Sequence, residues 1–406
     1  MKAKSEVLHT LIERGFLYQC SNLEELDNLF LRKSVKGYIG FDCTADSLHV
    51  GSLVQIMMLR TLKRFGHKPV VVVGSGTSLI GDPSGRDESR SILTVESILK
   101  NAEGIKNTLS QFLENVEYVN NADWLTKLNY LEFLRDYGYL FTVNKMLTFD
   151  SVKQRLEREQ PLTFLEFNYI LLQAFDFLHL FKNLDVELQM GGSDQWGNII
   201  NGTELIRKSL HKQAFGLTSP LITTSDGKKM GKTANGAVWL SPDKLSSFEY
   251  YQFFRNVNDL DVERFLKLFT EIQIKEINKL VSLRGKEINE AKKILAFEAV
   301  KIAHSEKHAK MCVDIAKKNF EENVISDNMT SFVVDLTSGK LLVDLICDLK
   351  LLSSKTEAKR LILSGGIKIN DEKIEDVFYI ISKILFNGEK QFKLTIGKKK
   401  IVLIKF

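Results

Sequence analysis

The chain has 406 residues, 44% hydrophobic and 26% charged, a globular rather than a disordered composition, and its length predicts two or three domains because single cores stop growing near ~250–300 residues. The net charge of +5 is uneven: residues 340–406 carry 14 Lys/Arg against 8 Asp/Glu and the remainder 42 against 43, so the C-terminal end is fitted either to a polyanionic partner or to a solubilising lysine-rich surface. No run approaches the ~18 apolar residues of a membrane span, the N-terminus MKAKSEVLHTLIERGF lacks a secretory apolar core, and Cys20, Cys43, Cys312 and Cys347 form no CxxC pair, which excludes a disulfide framework or zinc ribbon and makes a reducing cytoplasm the expected compartment.

In chain order, VKGYIGFDC at 35–43 reads as a buried strand and turn. SLVQIMMLRTLKRF at 52–65 has apolar residues at helical spacing, with Ser52 as the expected N-cap. Pro69 to Val73 is a short all-apolar run, the mark of a parallel strand covered on both faces. The Gly-rich stretch GSGTSLIGDPSGR follows, then a helix over 95–115 and a short strand at 116–119. Residues 163–181 predict a long apolar helix, 186–190 a strand, and GGSDQWGN leads into a helix over 194–210. Strands alternating with helices predict an α/β fold with a parallel sheet, whose ligands bind where loops leave the carboxyl ends of the strands. Residues 249–320 are helical in pattern throughout, 325–339 read as a linker, and from Lys340 two short helices, a Gly-Gly turn and three β-rich segments make up the basic module.

Common phosphate loops fail here. GSGTSL at 74–79 has Leu79 where a dinucleotide fingerprint needs glycine, and a Walker loop ending in Gly231-Lys232-Thr233 would need glycine at Asp226. His304 and His308 sit four apart on an expected helix without the HExxH glutamate, and read as a solvated face. Two other segments carry more. In Phe41-Asp42-Cys43-Thr44-Ala45-Asp46-Ser47-Leu48-His49-Val50-Gly51-Ser52, a strand ends, Thr and His follow, and Gly51 precedes a helix N-terminus whose amides attract phosphate. Gly51 would let a base or ribose approach the backbone closely. Lys228-Lys229-Met230-Gly231-Lys232-Thr233 places Lys229 and Lys232 three apart on a Gly-flanked loop, a spacing that can clamp polyphosphate.

Together these segments resemble the HIGH and KMSKS motifs of class I aminoacyl-tRNA synthetases, in the expected order. GGSDQWGN resembles the adenosine-binding loop of the tyrosyl and tryptophanyl branch, and FNYILLQAFDF at 167–177 with LIGDPSGR at 79–86 resembles the bacterial tyrosyl enzymes. Residues 340–406 resemble their S-four-like RNA-binding module, so the resemblance spans the chain. It implies a Rossmann-like catalytic domain over 1–220, a KMSKS-type loop and connector over 221–245, an α-helical anticodon-region domain over 246–325, a linker over 326–339 and the RNA-binding module over 340–406.

The implied activity is two-step attachment of L-tyrosine to tRNA(Tyr) with ATP as substrate, accompanied by Mg²⁺ without a protein cage. The implied protein is a cytoplasmic homodimer. The resemblance places Thr44, His49, Lys229 and Lys232 on the β- and γ-phosphates, with Arg86 and Arg90 as further cations. It places Tyr38 and Asp176 on the phenol hydroxyl, Asp82, Tyr169 and Gln173 around the ammonium group, and Asn121 in support. Gly40, Asp42, Gly51, Ser52, Gly192, Asp194, Gln195 and Met230 fall at nucleotide-side positions, Asp194 on ribose. Two residues depart from the pattern: Ser52 stands where the second HIGH histidine is usual, and Cys43 where proline is, leaving a thiol near the ATP site. The rival readings are a tryptophanyl enzyme, which would not use Tyr38 with Asp176, and a decayed RNA-binding relative, favoured only by Ser52.

Overall fold

The computed structural model describes residues 3–84, 93–225, 227, 230–233, 236–282, 287–320, 331–386, 390–397 and 400–406. The chain divides into two compact units, 1–305 and 306–406.

The first unit is built on a six-stranded sheet in the order β1-β6-β5-β2-β3-β4. Its strands are β1 (Gln19–Cys20), β2 (Lys36–Asp42), β3 (Lys68–Gly74), β4 (Glu117–Asn120), β5 (Val186–Gly192) and β6 (Phe215–Ser219). Only β1, at one edge, runs antiparallel. The expected parallel core is therefore present. Val70 to Val73 are buried on both faces, as helices covering a parallel sheet require. The crossovers are helices α1 (Leu53–Arg64), α2 (Val95–Phe112), α3 (Phe164–Leu184) and α4 (Trp196–Leu210).

Helix α3 begins with a capping box: the Thr163 hydroxyl accepts from the Glu166 amide, and the Glu166 carboxylate accepts from the Thr163 amide. The same carboxylate pairs with Arg155 at 2.7 Å, the two side chains 4% and 1% exposed. A buried charge on either side alone would be costly, so the pair fixes where the helix starts.

The entry to α1 differs from expectation. The Ser52 hydroxyl makes no capping bond. A 3₁₀ turn, Val50–Ser52, precedes the helix, and its capping group is the His49 ring, whose Nδ1 accepts from the Gly51 amide at 3.0 Å. The helices Ser247–Arg255, Val262–Phe269, Ile274–Val281 and Ile288–Ala303 complete this unit around Tyr250, Phe254, Phe265 and Phe269. His304 lies just beyond a helix end, half-buried, with Nε2 2.9 Å from the Leu240 carbonyl, so it does not lie on a solvated helix face.

The second unit has a five-stranded sheet in the order β12-β11-β14-β15-β9. These strands are β9 (Ser331–Val333), β11 (Ile367–Ile369), β12 (Glu372–Ile374), β14 (Gln391–Ile396) and β15 (Lys400–Lys405); the short pair β10 (Lys340–Leu341) and β13 (Ile380–Ile381) stands apart. Helices Leu342–Asp348 and Lys355–Leu363 close a core that includes Leu345, Ile362, Phe392 and Leu394. Ser331–Val333 falls in the segment read from sequence as a linker, yet pairs parallel with β15.

Candidate active site

The carboxyl ends of β2, β3 and β5 open into a cleft of about 310 Å³. Strand β2 contributes Tyr38, Gly40 and Asp42, and the loop after it Thr44, His49 and Ser52. Asp82 comes from the loop beyond β3, and Asn121 from the turn after β4. Tyr169, Gln173 and Asp176 lie on one face of α3, at spacings of four and seven. Gly192, Asp194 and Gln195 close the wall after β5.

At the inner end, Asp176 is 4% exposed. Its carboxylate accepts from Trp124 Nε1 at 2.7 Å and Asn121 Nδ2 at 2.9 Å. Burial pushes this carboxyl up to about 7, partly offset by those two donors. Beside it, the Tyr38 hydroxyl is buried without a partner, and burial followed by the Asp176 charge holds its pKa well above the phenol range. Gln189, opposite Tyr38 in the β2–β5 register, has its Oε1 buried and unpartnered too. Two orphaned polar groups and a buried carboxylate in one place are costly unless a polar ligand meets them.

Further along, Asp42 accepts from Thr77 Oγ1 at 2.8 Å and from the Tyr169 hydroxyl at 3.1 Å. Asp82 accepts from Gln195 Nε2 at 2.7 Å and from the Ser84 amide at 2.9 Å. Asn198 donates to Gln173 Oε1 and Gln195 Oε1, aligning both amides. Three carboxylates, Asp42, Asp82 and Asp194, thus line a half-enclosed cleft and favour a cationic group there.

At the outer end stands His49. Because Nδ1 accepts from the Gly51 amide, the neutral ring carries its proton on Nε2. A Cβ at Gly51 would lie 2.6 Å from His49 Cε1, so this imidazole fills the space that sequence reasoning left to a base or ribose. Met230 is buried, donates its amide to the Ile222 carbonyl at 3.1 Å and lies outside the lining of the cleft, as does Gly51. Lys232 opens the short strand β7 (Lys232–Thr233), which pairs with β8 (Gly236–Ala237). Arg86, Arg90, Lys228 and Lys229 lie outside the described residues. The Cys43 thiol does not line the cleft either: it is buried, and burial pushes it up to about 12.

Sequence reasoning missed Gln189, Thr77, Asn198 and Trp239. A glutamine inside the buried run VELQM was a usable signal; nothing in AVWL distinguished Trp239 from core. Among the described residues, no cluster of three or more His, Cys, Asp or Glu side chains is arranged to hold a metal ion, and no helix is long and apolar enough to cross a membrane.

Residues 31–321 match the model of the class I tRNA synthetases (W and Y), and 320–404 match a tyrosine–tRNA ligase SYY-like C-terminal domain. A tyrosine–tRNA ligase of Rickettsia conorii is 50% identical over 98% of this chain and 99% of its own length. One from Wolbachia pipientis is 51% identical over 100% and 98%. Among solved structures, a C-terminally truncated mitochondrial tyrosyl-tRNA synthetase of Aspergillus nidulans superposes with a TM-score of 0.70 at 32% identity, covering 78% of this chain and 94% of that one.

Proposed function

Since the chain belongs to the class I tRNA synthetases of the tryptophan and tyrosine branch, and its full-length relatives at about half identity are tyrosine–tRNA ligases, we infer that it attaches L-tyrosine to tRNA(Tyr). The tyrosine carboxylate attacks the α-phosphate of ATP, the α–β phosphoanhydride bond breaks and pyrophosphate leaves. The 3′-terminal ribose hydroxyl of the tRNA then attacks the tyrosyl carbonyl, and AMP departs.

The observation that carries the choice of amino acid is the polar floor of the cleft. An indole carries only an N–H donor and cannot satisfy both the Asp176 carboxylate and the unpartnered Tyr38 hydroxyl; a phenol O–H donates to one and accepts from the other. Asp82, Tyr169 and Gln173 hold the ammonium group, with Asn121 fixing Asp176 from behind. Gly40, Asp42, Gly192, Asp194 and Gln195 line the adenosine side together with Ser52, and Met230 backs them. Thr44 and His49 meet the departing phosphates, with Lys229, Lys232 and Arg86 as the cations. No enzyme nucleophile is needed: alignment and charge stabilisation lower the barrier. Mg²⁺ enters with ATP, on phosphate oxygens. ATP–pyrophosphate exchange with tyrosine, phenylalanine and tryptophan in parallel tests the reading. Exchange with tyrosine alone is expected; exchange with tryptophan, or none from folded protein, refutes it.

The basic C-terminal module grips tRNA through phosphate contacts. Because β9 is part of that module's sheet, the informative truncation removes 331–406 rather than 340–406. Tyrosyl transfer to tRNA is expected to fall while pyrophosphate exchange persists; equal loss of both would contradict this division. Tyr130, Leu131, Tyr139, Val143 and Phe164 are 56–74% exposed within one stretch of the first unit, which supports a homodimer. Sedimentation reads this directly, the monomer being 46.3 kDa.

A further inference from the structure

We propose that Trp239 is a positioning residue that holds the His49 imidazole and the base of the β7–β8 hairpin in one register. His49 and Trp239 form an antiparallel bridge. On either side of it the Val50 amide donates to the Val238 carbonyl at 2.8 Å and the Leu240 amide to the Leu48 carbonyl at 2.9 Å. The Val238 amide also donates to the Gly231 carbonyl at 3.1 Å, so the strand that grips the His49 loop is the one that closes the hairpin beginning at Lys232. The Gly51 amide already holds the imidazole through Nδ1. The Trp239 ring adds a second restraint: it meets the His49 ring edge-on, with centroids 6.4 Å apart and planes at 62°.

Trp239 is itself braced. Lys244 Nζ lies 5.1 Å from its ring centroid and pairs with Asp46 Oδ1 at 2.5 Å. Asp46 belongs to the same loop as Thr44 and His49, so the brace closes back on the segment it supports. The Leu240 carbonyl is tied from the other direction by His304 Nε2. The indole therefore couples the two motif segments, and a disturbance at Trp239 reaches the phosphates through His49.

This rests on His49 acting at the phosphates, and the test separates the two claims. Exchange kinetics are compared in native chain, Trp239→Leu, His49→Ala and the double variant. Trp239→Leu is expected to lower kcat on the order of 10- to 100-fold, as small misplacements of a reacting group do, with KM for tyrosine unchanged. In the His49→Ala background the same substitution is expected to cost less than about threefold, because coupled residues are not additive. Trp239→Phe, which keeps an aromatic edge, restores most of the rate. An equal loss from Trp239→Leu in both backgrounds overturns the proposal while leaving the role of His49 intact. Native exchange in His49→Ala overturns that role and the proposal with it. If Trp239→Leu no longer binds tyrosine, the cycle is run with Asp46→Asn, which unties Lys244, and the same two outcomes decide.

Discussion

Replacing Asp176 by alanine is expected to lower kcat/KM for tyrosine in pyrophosphate exchange on the order of 100-fold or more. Three donors lose their acceptor at once: Trp124 Nε1, Asn121 Nδ2 and the substrate hydroxyl, and each buried donor left unmet costs about 1–3 kcal/mol. Phenylalanine, which brings no hydroxyl, should lose far less, so the variant's preference between the two narrows. Native exchange kinetics with tyrosine would remove Asp176 from the phenol pocket. The same carboxyl gives a pH signature. It titrates at about 7, so below that pH it takes a proton and one acceptor oxygen is lost. The KM for tyrosine should therefore rise as pH falls below about 7 in the native chain and stay level in Asp176→Ala. For folding the sign is opposite. The native group binds its proton more tightly than an unfolded carboxyl at 3.8, so its contribution to stability declines as pH rises from there to about 7, and is level above.

A single methyl group at Gly51 is expected to be nearly as damaging to the rate and almost silent in stability. The Cβ of Gly51→Ala would lie 2.6 Å from His49 Cε1 and 2.8 Å from Nδ1, so the ring must move. A side-chain tip can be displaced at little cost to folding, yet on the proposed role of His49 the displaced imidazole would no longer face the departing phosphates. The kcat of exchange should drop on the order of 100-fold with KM for tyrosine and the melting temperature near native. A native kcat would show that the observed ring position is not required.

Much of this was legible in the residues. Hydrophobic period located β2, β3 and β5 and the long helix to within a few positions, because each is buried on both faces or on a wide one. The residues of α3 that line the cleft were visible because polar groups at spacings of four and seven stand out in an apolar helix. What escaped depended on neighbours distant in sequence. Ser52 looks like a cap, but the His49 ring reaches the Gly51 amide first. Nothing in the local sequence shows that Gly231 is required, yet its φ of +119° and the His49 ring beside it demand glycine. Cys43 reads as a thiol left near the ATP site, but its amide bonded to Ser78 Oγ and its carbonyl bonded to Asn101 fix that turn, and the thiol is buried away from the cleft lining. Trp239 sits roughly 190 residues from the histidine it touches, and no local pattern marks it.

Helix α3, fixed at its start by the Arg155–Glu166 pair, acts as a ruler. Tyr169 and Asp176 are seven residues apart on it, about 10.5 Å along the axis at 1.5 Å per residue. On the proposed assignment of these two residues, the ammonium end and the hydroxyl end of the amino acid are gauged against one rigid rod rather than between two movable walls. A longer or shorter side chain cannot be accommodated by sliding one end, because both marks move together. Any change of amino-acid preference in this scaffold has to rewrite the marks on the rod, not the distance between separate parts of the protein.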